Sequence, residues 1–294
     1  MSKAQITSAV ATLVLAAGLA ACGSEDGSGK GGDAEAGASA TPTTEAVRDA
    51  YRNTVAADTA RMTVSSKAVA EGQAVTARGT GVVDLAKGAS RITLTSQGTE
   101  IEQRVVDGVV YQKPSGGRRA EIPGGKTWMK IDLARLNRSN PTGRSQVSDP
   151  AEPFRFLKGV GSEDVTRIGT QTLDGTRTTH YRVAVRLSTL THDNARQAEE
   201  LKRQLGKSSL PVDLWLDDRG RLRQESVRLN LHPLKGRTPG KENTQVTSTT
   251  VLRFTDFGTE ANVAAPPASD TADVTGRLTG PGGSTPSGGS AQTG

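Results

Sequence analysis

From Arg61 to Phe257 the sequence keeps changing sides. RMTVSS, ARGTGVVDL, SRITLTS, EQRVVDGVVYQK and TWMKID alternate apolar and polar residues and are punctuated by turn dipeptides. A period of two sends successive side chains to opposite faces of an extended chain, so these segments read as strands. The same rhythm returns in VTRIGTQTLDG, TRTTHYRVAVRL, LPVDLWLDDRG, LRQESVRLNL and VTSTTVLRFTDF. In HYRVAVRL, Tyr181, Val183, Val185 and Leu187 share one side while Arg182 and Arg186 take the other, as in an antiparallel sheet with one wet face. Asp107-Gly108, between two such runs, reads as a tight hairpin. Few aromatic residues and abundant Gly, Thr, Ala and Val argue against a helical bundle.

Three segments break the rhythm. Thr43-Thr44-Glu45-Ala46 is a cap-like start, and Ala46, Val47, Ala50, Tyr51, Thr54 and Val55 follow at helical spacing, so a helix is expected over 44–58. Asp149-Pro150-Ala151-Glu152 is a second helix entry, leading into Phe154, Phe156 and Leu157. THDNARQAEELKRQL sets Leu190, Ala198, Leu201 and Leu205 on one helical side. LARLNRSNPTGRSQVSDP has no strand pattern and is expected to be a surface loop, its Arg135–Ser148 part a candidate guard over any opening. Helix, strands, helix, strands, helix, strands is an α+β order. It predicts a strongly curved antiparallel sheet, a half-barrel, with helices covering the concave face.

The ends differ in composition. Residues 22–44 form a Gly/Ser/Ala tether and residues 266–294 a Pro/Gly/Ser-rich tail, both too poor in apolar side chains to fold. The folded domain is therefore placed at 45–265, about 220 residues. A tether of that length reaches roughly 25 Å. The net charge of +6 implies mild attraction to anionic lipid heads or wall polymers, but no basic run is interleaved with aromatics, which argues against nucleic acid.

Ahead of the tether, Lys3, the apolar run Ala9–Ala20 and the small residues after it have the three-part layout of an export signal, residues 1–21. Leu19-Ala20-Ala21-Cys22 resembles the lipobox of bacterial lipoproteins, which implies cleavage before Cys22 and acyl chains, palmitate among them, on its thiol. The chain would then be lipid-anchored on the extracytoplasmic face of the cell membrane. The competing reading is an ordinary signal cut after Ala21 and a secreted protein. Two acyl chains hold without help, since each buried methylene contributes about 0.8 kcal/mol. Cys22 is the only cysteine, so no disulfide supports the domain.

Little in the domain asks for chemistry. Ala120-Glu121-Ile122-Pro123-Gly124-Gly125-Lys126-Thr127 lacks the first glycine of a phosphate-cradling loop and leads into a strand. His180, His192 and His232 have no partners at metal-ligand spacing, and His180 is expected on the wet side of its strand. Asp217-Asp218-Arg219-Gly220 reads as a β-turn. No catalytic residue, metal site or cofactor is assigned.

VVDGVVYQK, KTWMKIDL, DPAEPFRFLKG, DVTRIGTQTLDGTRTTHYRVAV, LPVDLWLDDRGRL and VLRFTDFGTEANVAAPP together resemble the LppX/LprAFG family of actinobacterial lipoproteins, related in fold to the LolA/LolB carriers. The resemblance implies a half-barrel with helices inside its curve and an apolar cavity for the acyl chains of a lipid or glycolipid. Candidate cavity liners are Trp128, Met129, Phe154, Phe156, Leu157, Val183, Val185, Leu214 and Leu216. The alternative is a cell-envelope sensor or scaffold that binds a protein partner through the same fold.

Overall fold

The structure, a computed structural model, describes residues 42–116, 122–139, 152–191, 195–231 and 246–278. Helix α1 (Pro42–Val55) carries Glu45 in its first turn and Arg52 in its last, charges that suit the helix dipole. It buries Thr44, Val47, Ala50 and Thr54, one face at the expected spacing. Thr54 then fixes where the helix sits. Its hydroxyl donates to the Ala50 carbonyl at 2.6 Å and accepts the Leu222 N–H at 2.8 Å.

The rest is one sheet. Strands β1 (Thr59–Ala70), β2 (Gln73–Asp84), β3 (Ala89–Ser96), β4 (Thr99–Val106), β5 (Val109–Pro114) and β6 (Trp128–Asp132) form one antiparallel meander. Strands β7 (Val165–Leu173), β8 (Thr176–Arg186), β9 (Ser209–Asp217), β10 (Leu222–Leu231) and β11 (Val246–Thr255) form a second. The two join where β1 pairs with β11, and β12 (Thr271–Asp273) adds in parallel beside β6. The twelve-stranded order is β12-β6-β5-β4-β3-β2-β1-β11-β10-β9-β8-β7, so the edges are β12 and β7.

Four hairpins turn on two residues of positive φ: Glu71-Gly72, Gln97-Gly98, Asp107-Gly108 and Asp174-Gly175. These are the turns whose twist matches that of the strands they join. Asp107-Gly108 is thus the hairpin its sequence implies. At Asp217-Asp218-Arg219-Gly220 the Asp217 carboxylate accepts the backbone N–H groups of Arg219 and Arg221, closing the expected turn. Pro123–Gly125 is a short 3-10 turn into β6 rather than a phosphate loop opening a helix.

The core lies on one face. A 3-10 helix, Glu152–Gly159, packs against α1, and α4 (Ala195–Leu205) packs beside α3 (Leu187–Leu190) and against β10. Phe154 is fully buried between Tyr51 of α1 and Phe254 of β11, with ring centroids 5.7 Å from each. This helical cover sits over the β7–β11 meander and the strands next to it.

Two expectations need correction. The LARLNRSNPTGRSQVSDP segment, expected as a loop, begins as helix α2 (Leu133–Ser139), because the Asp132 carboxylate accepts the Arg135 N–H at 2.9 Å and Leu133 is buried against Val105 and Val110. Residues 140–148 of that loop lie outside the described residues. The tail boundary at 266 also falls too early, since the chain to Leu278 completes the sheet through β12 and α5 (Thr275–Leu278). Thr127 N–H donates to the backbone and side chain of Asp270, Val274 N–H donates to the Lys130 carbonyl, and the Thr275 hydroxyl accepts the Asp132 N–H. Asp273 is exposed at the end of β12. Burial raises its pKa, but hydrogen bonds from Thr275 and the nearby Arg135 outweigh that and lower it.

Gly81 marks a close approach of two strands. A Cβ there would lie 2.0 Å from the Arg91 carbonyl oxygen and 2.7 Å from the Ile92 Cα. Gly81→Ala should therefore lower the unfolding free energy by about 1–3 kcal/mol, measured by urea denaturation. Gly169→Ala, where a Cβ meets nothing within 4 Å, should cost less than half as much.

Candidate functional site

Register that is regular apart from shifts between Leu222 and Gln224 and between Arg167 and Gly169 lets side chains on the core face be followed from strand to strand. Phe254, Met62, Gly81, Ile92, Gln103, Gln112 and Met129 form one transverse row from β11 to β6. The next row is Tyr181, Leu214, Glu225, Leu252, Val64, Gly79, Leu94 and Ile101, from β8 to β4. Burial is not even along these rows. Leu214 and Phe254 are fully buried under the helices, whereas Val64, Leu94, Ile101 and Met129 are only half-buried. This apolar strip of β1–β6, continuous with the dry core, is the candidate site. Its polar interruption is a pair in which Gln112 Nε2 donates to Gln103 Oε1 at 3.0 Å. Gly79 keeps the strip low, because a Cβ there would come within 2.6 Å of Val64 Cγ1 and 2.7 Å of Leu94 Cδ2.

The candidate liners divide. Phe154, Leu157, Val183, Val185, Leu214 and Leu216 are buried in one cluster, with Phe156 half-buried against it. Met129 lies at the far end of the first row. Trp128 is the exception, for it precedes Met129 and points to the opposite face. There it is covered by the Arg104 guanidinium at 4.7 Å and the Lys113 ammonium at 5.1 Å. Glu102 joins both cations at 2.8 Å. Burial raises the Glu102 pKa, but hydrogen bonds and charge from Lys113 and Arg104 more than offset this and lower it. The apolar cue of a tryptophan did not reveal which face it would take, whereas its one-residue offset from Met129 did.

Sequence reasoning passed over Glu225, although it shares the parity of Val227 and Leu229 and so belongs on the core face. It is buried between Leu214 and Leu252, and its Oε2 has no hydrogen-bond partner. Burial alone pushes its pKa up to about 8, so it is a neutral acid at pH 7.

His180 lies on the outward face as expected, but it is far from free. It stacks on Trp215 at 4.3 Å, and its Nε2 is 2.9 Å from Asp213 Oδ1, which also accepts from Arg182 Nε at 3.0 Å. Among the described residues no group of three or more His, Cys, Asp or Glu is placed to hold a metal, and no helix is long and apolar enough to cross a membrane. Cys22, residues 1–41, His192 and His232 lie outside the described residues. Two open clefts also occur. One of about 530 Å³ is on the outward face of β1–β4, and one of about 420 Å³ lies between α4 and the ends of β8 and β9. Neither is lined by any of the nine candidates.

No family model matches the chain. It is 29% identical over 214 residues to an uncharacterised 31.2 kDa protein of Streptomyces griseus from the rplA-rplJ intergenic region, covering 66% of each chain. It is 28% identical over 179 residues to a Streptomyces coelicolor protein provisionally named a lipoprotein, covering 60% of this chain and 52% of the other. The chain thus spans less than two thirds of the length of the curated relatives it matches. Among solved structures it is similar to LprF and LppX. LprF of Mycobacterium bovis is 12% identical, with 76% of this chain and 96% of that chain covered and a TM-score of 0.42. LppX of Mycobacterium tuberculosis is 15% identical, with 75% and 99% covered and a TM-score of 0.35.

Glu225 yields a signed pH dependence. Below pH 4.5, the ordinary value, the carboxyl is protonated whether the chain is folded or not. As pH rises, the unfolded chain ionises while the folded one keeps its proton, so stability falls until about pH 8 and then levels off. The effect at pH 7 is on the order of 3 kcal/mol. Urea midpoints of the parent should fall across this window, and Glu225→Gln should flatten the fall. Parallel pH profiles for the two proteins would contradict the assignment.

Proposed function

We propose that this chain is an extracytoplasmic lipoprotein, held to the cell membrane by acyl chains on Cys22, that shelters the apolar part of a lipid or glycolipid on the core face of its sheet. The observation that carries the reading is the half-buried strip of Val64, Leu94, Ile101 and Met129. A domain built for stability alone more often buries such a row completely or makes it polar, and a half-buried apolar row beside a dry core, broken by the Gln103–Gln112 pair, suits the apolar chain of a ligand. From β1 to β6 the strip crosses five strand spacings, roughly 24 Å. That exceeds the roughly 15 Å depth of one leaflet's hydrocarbon, half of a bilayer core. An acyl chain therefore fits along it.

The close approaches at Gly79 and Gly81 favour a sheet that curls towards the core face, giving a half-barrel with the helices on its concave side. Leu19-Ala20-Ala21-Cys22, and the lipoprotein name of the Streptomyces coelicolor relative, support the anchor. Residues 1–21 are then the signal and the segment from Cys22 to α1 the tether. The reading needs no covalent chemistry, only apolar cover and an address.

Two measurements test this. Lipid extracted from the purified chain, or carried by it in native mass spectrometry, should be acyl lipid at near one per protein. Ile101→Lys should abolish it while circular dichroism and the unfolding midpoint stay close to the parent's. Folded parent protein that carries no acyl lipid and takes up none when offered would rule the reading out. Separately, Cys22→Ser should move the protein out of the acylated membrane fraction, with its mass showing the state of the signal. A parent protein without acyl mass would refute the anchor alone.

A further inference from the structure

The outward face of the first meander carries cations that the core-face reading does not use. Arg61, Val82, Arg91, Arg104, Tyr111 and Lys130 follow one another in register from β1 to β6. Thr63, Thr80, Thr93 and Glu102 make the adjacent row. Between the rows over β1–β4 lies the cleft of about 530 Å³.

The charges there are unequal in their partners. Arg104 and Lys113 are engaged by Glu102, and Arg104 also covers Trp128. Arg61 has only an exposed pair with Asp256 at 3.2 Å, and exposed pairs of this kind contribute little. Arg91 has no ion pair or hydrogen bond from its side chain among the described residues, and it stands directly opposite Arg104. Like charges facing each other across strands destabilise a sheet. The hydroxyls of Thr63, Thr80 and Thr93 also lack partners among the described residues. Two guanidiniums without strong protein partners, hydroxyls able to donate and an open cleft, whose one lining carboxylate, Glu102, is already neutralised by Arg104 and Lys113, make a place able to receive an oxyanion.

We propose that this cleft seats the phosphate of an anionic phospholipid headgroup, with Arg61 and Arg91 closing on its oxygens and the threonine hydroxyls donating from beside them. Guanidinium pairs match the geometry of phosphate oxygens. Val82, half-buried between the two arginines, provides an apolar floor suited to the glycerol and first methylenes of a diester rather than to inorganic phosphate. The choice of a membrane headgroup rests on the anchored state proposed above, since a tether of roughly 25 Å keeps the domain close to the bilayer surface.

The test uses the chain from Cys22 onward, made without its acyl group, and dihexanoyl phosphatidylglycerol below its micelle concentration, followed by calorimetry. Saturable one-site binding is expected. Arg91→Gln should weaken it at least about tenfold, added salt should weaken it too, and Lys67→Gln, at an exposed cation on the same face, should leave it unchanged. The melting temperature of Arg91→Gln should not fall, which separates lost binding from lost folding. Absence of binding, or binding indifferent to Arg91→Gln, overturns the proposal. Equal affinity for inorganic phosphate overturns the headgroup assignment. Because this binding is read without an anchor, it can succeed where acylation of Cys22 fails, and the reverse.

Discussion

In a sheet paired from β6 through to β7, the parity of each residue decides its face, and a slip of one residue would turn Phe254, Leu214 and Met62 outward together. Four two-residue turns of positive φ hold that parity along the hairpins, and the Thr54 hydroxyl ties the start of β10 to α1. The irregularities fall where they do least harm. One lies between Arg167 and Gly169 on the exposed edge strand, and the other between Leu222 and Gln224 next to the Asp217 turn. The first also blunts an edge that carries exposed Ile168 and would otherwise invite another strand.

Cover by helices is local, so the core face has two regimes. Over β8 to β11 it is closed by α1, the Glu152–Gly159 helix and α4, and Phe154 joins helix to sheet. Over β4 to β6 the cover is α2, which reaches Val105 and Val110. Between them the strip of Val64, Leu94 and Ile101 keeps part of its area in water. At roughly 25 cal/mol per Å² of apolar surface, leaving such a row half-open sacrifices on the order of a kcal/mol per side chain. A fold that only needed stability would close it, and this uneven burial is the physical basis of the carrier reading.

Strands, hairpin and first helix were legible because period two and period 3.6 are properties of local sequence. HYRVAVRL and LPVDLWL placed Val183, Val185, Leu214 and Leu216 correctly in the core by alternation alone. What stayed hidden depended on distant partners. The LARLNRS helix needs Val105 and Val110 to bury Leu133, and Thr271–Asp273 become a strand only because β6 offers them a free edge. Composition marked the whole C-terminal stretch as a tail, since the residues that join the sheet are few beside the glycines and prolines that follow. Trp128 differs from the other candidate liners because its position next to Met129 in β6 puts it on the opposite face, whatever its hydrophobicity.

Glu225 and Arg91 are opposite answers to one question about unpaired charge. Glu225, between leucines on the dry face, cannot ionise without losing water and gaining no partner, so it keeps its proton. Arg91, on the wet face, stands exposed to water opposite Arg104 and has no acid paired with it among the described residues. The first arrangement offers an anion next to the apolar strip no countercharge, since neither transverse row of the core face carries a Lys or Arg. The second favours an anion outside. A ligand with an apolar chain and an anionic head therefore meets both preferences only if its chain and its head are recognised on different faces.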